Sequence, residues 1–175
     1  MTWIDMGLFD KLFKKEEEVV LPALENVADD DIVALADGEL IDIATVSDPV
    51  FAEQMMGKST AFKYNKDKVV LCSPANGTLA VLFPTGHAYG IMMNNGVELL
   101  AHCGVDTVNA KGDGFRLLGK KQGDAVKAGD PIVEIDVAKL SKTYDMSTML
   151  IITNANDKEL DFIDPQKVKR GQSVI

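Results

Sequence analysis

The chain of 175 residues contains only two cysteines and two histidines. Cys72 and Cys103 form no C-x-x-C motif, and the N-terminus lacks the layout of a secretory signal, so a disulfide framework is not expected. A zinc cluster built from Cys and His has almost nothing to draw on, and any imidazole chemistry must pass through His87 or His102. No apolar run approaches the roughly 20 residues of a membrane span. Basic charge is in the minority, with 18 Lys+Arg against 27 Asp+Glu and a net charge of −9. A nucleic-acid partner, which needs a basic face to neutralise phosphates, is therefore not expected. What is present is ordinary for one acidic, cytoplasmic globular domain: 46% hydrophobic and 26% charged residues. A chain of this length can bury roughly 70% of its extended-state surface in one core.

Residues 1–20 differ from the body. Trp3, Ile4, Leu8, Phe9, Leu12 and Phe13 recur at helical spacing beside Lys11, Lys14 and Lys15, and Glu16-Glu17-Glu18 follows. The stretch reads either as an amphipathic helix whose lysines meet anionic headgroups, or as a frayed terminus. Residues 21–175 are expected to form the domain. Short apolar runs alternate there with Gly, Asn, Asp and Pro, at Ile32–Leu35, Leu40–Ile43, Val69–Cys72, Leu79–Phe83, Ile132–Ile135 and Met149–Ile152. These predict strands. Helix is expected only from Val137 to about Tyr144 and as a turn over Phe51–Met56. The pattern predicts an all-β fold, an antiparallel sandwich or barrel with short helical segments.

The histidines flank a hairpin signal, Asn95-Gly96. A two-residue loop pairs Tyr89 with His102 and leaves His87 diagonal to it, whereas a four-residue loop sets His87 directly opposite. Both registers place the imidazoles on one face, and only an odd-length loop would separate them. Cys103 alternates to the other face with Leu99 and Ala101, and so reads as a small buried hydrophobe rather than a nucleophile. The pair could be two structural histidines satisfied by backbone. A zinc held by His87 and His102 would need a third ligand, for which Asp106 is nearest, but the spacing matches no zinc signature and no cofactor is expected. There is no G-x-S-x-G elbow for serine chemistry. A free imidazole titrates near ~6.5, so phosphoryl transfer through a neutral ring nitrogen suits this site.

Several stretches resemble the glucose-type IIA components of the bacterial sugar phosphotransferase system. These are Asp48-Pro49-Val50-Phe51-Ala52-Glu53 with Met55-Met56-Gly57, Pro84-Thr85-Gly86-His87-Ala88, Gly96 through Val108 around His102-Cys103-Gly104-Val105-Asp106-Thr107, Gly112-Asp113-Gly114-Phe115, and Gly123 through Asp130. The closing region around Ile151-Ile152-Thr153-Asn154, with a final strand near Gln172–Ile175, and the opening Met6–Leu12 continue the likeness. The resemblance implies a β sandwich of the barrel-sandwich hybrid kind. It also implies a phosphotransferase component that takes phosphate from the carrier HPr as a phosphohistidine and passes it to a cysteine of a IIB domain. On that likeness His102 is the phosphorylated residue, His87 the second site histidine, and Thr85 the hydroxyl that positions it. Asp48 and Asp106 border the site, and Pro49, Val50, Phe51, Met55, Met56, Phe83, Leu100 and Val108 form an apolar rim for partners. The N-terminal stretch resembles one that associates with membranes. Three features depart from the family pattern: Lys58-Ser59-Thr60-Ala61 in place of an acidic turn, Gly86, and Cys103. Rival readings fare worse, since a zinc peptidase would need a His-x-His pair and a biotinyl or lipoyl domain a Met-Lys-Met hairpin, and neither occurs. A regulatory binding protein using the same surface is the remaining alternative.

Overall fold

The computed structural model describes residues 18–175; most of the predicted N-terminal tail lies outside the described residues. Among the described residues, eleven strands alternate with four short helical turns, and every strand pair is antiparallel. The strands are β1 (Gly38–Ile41), β2 (Lys58–Lys63), β3 (Lys68–Cys72), β4 (Gly77–Leu82), β5 (Ala88–Met93), β6 (Glu98–Cys103), β7 (Phe115–Leu117), β8 (Ala125–Val126), β9 (Pro131–Asp136), β10 (Thr148–Asn154) and β11 (Lys167–Val168). Eight of them form one sheet in the order β11-β1-β2-β10-β6-β5-β4-β8, and β3-β9-β7 form the other.

Alternation along the strands builds the core. In β6, Leu99, Ala101 and Cys103 are buried while Glu98, Leu100 and His102 are only partly covered. The inward set meets Phe62, Leu150 and Ile152 from its own sheet and Leu71, Val133 and Ile135 from the smaller one, in a single apolar cluster. Burial on this scale is the main force holding the two sheets together. Cys103 is fully buried and its thiol is pushed far above the usual range by that burial, so it packs as a hydrophobe.

The outer face of the large sheet carries a second, smaller cluster. Ala61, Met149 and Ile151 project from β2 and β10, and Ile43, Val46, Phe51 and Val105 close over them. The cover is the segment that crosses from β1 to β2. It holds a 3-10 turn (Ile43–Thr45) capped by Asp42 and one helical turn, α1 (Pro49–Ala52), capped by Asp48.

Several local expectations need correction. Ile32–Leu35 is no strand: it is buried, with one isolated bridge from Val33 to Ser173, and no strand forms near 172–175. The helical turn begins at Pro49, two residues before the expected span, and ends at Ala52 within it, because Asp48 and Pro49 supply a cap and a first-turn proline. The helix from Val137, α2, stops at Leu140. Lys58-Ser59-Thr60-Ala61, which departs from the family pattern, opens β2.

Candidate functional site

The site is built where the β5–β6 hairpin meets the covering segment. The hairpin loop is odd: Met93 N–H donates to Val97 O, leaving Asn94, Asn95 and Gly96 between them. Ala88 therefore faces His102, and Tyr89 faces Ala101. Strict alternation in this register would turn residue 87 inward with Cys103. It does not, because His87 lies one residue before β5, directly after Gly86. Gly86 has φ +79°, and a Cβ there would come within 3.0 Å of Phe115 Cβ, so the position both permits the bend and excludes a side chain. The chain stays tied to β6 through Cys103 N–H to His87 O at 2.7 Å. Both histidines thus share one surface, by a bend rather than by register.

Four rings stand in a row. Phe83 lies 4.9 Å from His87, His87 lies 5.5 Å from His102 at 77°, and His102 lies 4.9 Å from Phe51. Each histidine has its Nδ1 engaged. His102 Nδ1 is 2.8 Å from Gly104 O, and since a carbonyl only accepts, that nitrogen carries the proton and Nε2 keeps its lone pair. His87 Nδ1 is 2.6 Å from Thr85 Oγ1.

Gly104 can present its carbonyl because it has φ +83°, where a Cβ would come 2.5 Å from Thr107 Cγ2. The turn is fixed further by Thr107 Oγ–H donating to Cys103 O at 2.6 Å. Asp106 follows in a left-handed conformation, and its carboxylate makes no capping bond to the 3-10 turn Thr107–Ala110. On the other side Asp48 Oδ1 accepts from Val50 N–H at 2.8 Å.

Burial lowers the affinity of both imidazoles for protons. For His87, which is 4% exposed, the second cause is the positive charge that His102 would carry. For half-buried His102, burial is opposed by the bond to Gly104 O and by the charges of Asp48 and Asp106. Both rings are neutral at pH 7, with an unprotonated nitrogen on His102.

Of the residues expected at the rim, Val50, Met55, Met56, Phe83 and Val108 are exposed and Leu100 is partly covered, and Phe83 stands against His87. Phe51 differs from the expected rim: it is 7% exposed and belongs to the second cluster beneath it. Among the described residues no group of three or more His, Cys, Asp or Glu has a metal-binding arrangement. Asp145 and Ser47, which the residue pattern did not single out, prove to frame the site. The signal was weak, since neither lies near a histidine in sequence and their bond spans 98 residues.

A β sandwich carrying a histidine pair flanked by Phe83 and Phe51 defines the class, and the comparisons give the family. Residues 30–158 match the family described as phosphoenolpyruvate-dependent sugar phosphotransferase system, EIIA 1, and the chain belongs to it. It is 35% identical over 171 residues to the PTS system glucose-specific EIIA component of Haemophilus influenzae, covering 97% of both chains. It is 37% identical over 170 residues to the protein of the same name in Staphylococcus epidermidis, covering 96% of both. A glucose-specific EIICBA component of Staphylococcus carnosus matches at 37% over 139 residues, 79% of this chain and 20% of that longer one. Among solved structures, glucose permease IIA from Mycoplasma capricolum superposes with a TM-score of 0.75 at 35% identity, covering 82% of this chain and 92% of that one.

Proposed function

We propose that the chain is the cytoplasmic phosphoryl carrier of a sugar phosphotransferase system, taking phosphate from phospho-HPr on His102 and handing it to a cysteine of a IIB domain. The observation that carries this reading is the bond from His102 Nδ1–H to Gly104 O, which leaves Nε2 as a neutral nucleophile. The lone pair of Nε2 attacks phosphorus in line. The P–N bond to the donor breaks, and its electron pair stays on the donor imidazole. The transition state is loose, so the protein's task is to hold the two nitrogens in line and to offset charge on the equatorial oxygens. In this reading the Thr85 hydroxyl, 2.6 Å from His87 Nδ1, acts as donor, which leaves the ring proton on Nε2 to be donated toward those oxygens.

The exposed rim of Val50, Met55, Met56, Phe83 and Val108 suits a surface that docks two partners in turn and keeps water from a labile P–N bond. Asp48 and Asp106 border it. Fusion of an EIIA-like segment within the Staphylococcus carnosus EIICBA component supports a IIB partner. The N-terminal stretch adds reversible contact with an anionic membrane surface.

The test is radiolabelling by phospho-HPr. The wild-type chain should take one acid-labile phosphoryl group and pass it to IIB, and His102→Gln should take none. Equal labelling of His102→Gln would end the assignment of His102.

A further inference from the structure

Two segments set the environment of His102, and they come from distant parts of the chain. One is the turn at Gly104 and Val105, whose carbonyl at 104 fixes the ring tautomer. The other is the covering segment 43–52, which brings Phe51 and Asp48. Both are tied to Asp145. Its Oδ2 accepts from Ser47 Oγ–H at 3.0 Å and from Ser47 N–H at 3.4 Å. Its Oδ1 accepts from Ser147 Oγ–H at 2.7 Å and Ser147 N–H at 2.9 Å. Its own carbonyl accepts Val105 N–H at 2.8 Å, while Ser147 O accepts Gly104 N–H at 3.0 Å. One half-buried carboxylate therefore receives four donors, two on each oxygen.

From this geometry we infer that Asp145 is a positioning residue of the phosphoryl-acceptor site, clamping the segment that carries Asp48 and Phe51 against the turn that holds His102. The inference rests on the carrier reading above only for its functional consequence. Charge-assisted bonds are about twice as strong as neutral ones, so a carboxylate suits a clamp on a segment packed by only a small apolar cluster. The accepted hydrogen bonds hold the Asp145 carboxyl below the usual carboxylate range despite its burial, so it remains charged at pH 7. Without it, the second cluster still retains the cover. The effect should therefore fall on the placement of Asp48 and Phe51 rather than on folding.

The full chain would be compared with Asp145→Ala, Asp145→Asn and Ser47→Ala. NMR on the free protein would follow the titration of His102 and the through-space contact between the Phe51 and His102 rings. Rapid-quench labelling would give the apparent Michaelis constant for phospho-HPr. Burial lowers the His102 midpoint more than the Asp48 charge raises it, so loosening the segment that carries both Phe51 and Asp48 should on balance raise the midpoint toward the ordinary value and weaken the ring contact. The Michaelis constant should rise on the order of ten-fold in Asp145→Ala, with Asp145→Asn between it and wild type because one acceptor oxygen remains. A residue with only a structural role would lower the thermal midpoint while leaving the His102 titration of the folded fraction unmoved. Unchanged titration and ring contact in Asp145→Asn and Ser47→Ala would overturn the inference even if Asp145→Ala failed to fold. Because those two readouts need no partner, a wild-type chain that takes no label would sink the carrier reading, while shifted titrations would still uphold the clamp.

Discussion

The Thr85 hydroxyl and His87 Nδ1 stand 2.6 Å apart, a short bond between residues only two positions apart in sequence. The bend at Gly86 brings them together, so the same glycine that turns His87 outward also supplies its partner. This bond holds the His87 ring in place, and with the hydroxyl as donor it leaves the ring proton on Nε2. Thr85→Val keeps the shape and removes the hydroxyl, which frees the ring to turn and to change tautomer. We expect label from phospho-HPr to arrive at close to the wild-type rate and onward transfer to IIB to slow on the order of ten-fold. A single-turnover chase onto IIB measures it, and wild-type chase kinetics would remove Thr85 from the mechanism.

The acidity of the two rings predicts a pH profile. Burial sets both folded-state values below those of the unfolded chain, so between the two values the unfolded state binds more protons. Stability should therefore rise with pH through that window, which lies below ~6.5, and fall as acid charges the buried rings. The labelling rate should fall in the same window, because a protonated Nε2 has no lone pair. Rate measurements from pH 5 to 8 beside an NMR titration check both. A midpoint for labelling above the ordinary histidine value would contradict the burial argument.

The course of the hairpin shows how far residues alone carry the argument. Alternation was enough to place Cys103 inward and His102 outward, and five of the six apolar runs mark strands. Asn95-Gly96 marked the turn, yet two-residue and four-residue loops both miss the observed one. Gly96, at φ +87°, closes a three-residue loop in which Val97 N–H also reaches the Asn95 side chain at 3.0 Å. An odd loop should have parted the histidines. They meet because His87 lies outside the ladder, a fact that depends on Gly86 and its contact with Phe115 in another sheet. Long-range packing of this kind leaves no periodic trace. The same holds for Ser47 and Asp145, and for Phe51, whose place under the rim depends on Met149 and Ile151 nearly a hundred residues on.

Phe51 and Val50 are neighbours with opposite surroundings, 7% and 41% exposed. Phe51→Ser should therefore cost about 3 kcal/mol of stability by opening the second cluster, read as a lowered midpoint in denaturant. Val50→Ser should leave stability within about 0.5 kcal/mol and weaken encounter with HPr. The paired measurement separates packing from docking. An unchanged Michaelis constant for HPr in Val50→Ser would take Val50 out of the interface.

For the N-terminus the test is deletion. The apolar positions from Trp3 to Phe13 and their lysines should give weak binding to vesicles of anionic lipid, reversed by salt. Removing residues 1–20 should abolish that binding and leave labelling by phospho-HPr unchanged. Equal vesicle binding by both chains would end the membrane proposal.

The sharpest division falls between the two histidines, which share a surface but differ in what surrounds them. His102 has its Nδ1 proton committed to a carbonyl and is only half-buried, so its Nε2 is available for attack. His87 is almost wholly buried between Phe83 and His102, with its Nδ1 on a hydroxyl, which suits a donor held in place rather than a nucleophile. His87→Gln should accept label from phospho-HPr, since an amide N–H can take the place of the ring N–H at that depth. Its chase onto IIB should be slowed on the order of a hundred-fold, because transfer to a thiolate gathers negative charge that only a well-placed donor offsets. Two structural histidines with no chemical role would give the same label and the same chase in both variants. Label on His102→Gln with none on His87→Gln would reverse the roles, and the two-step assay reads all of these outcomes on one gel.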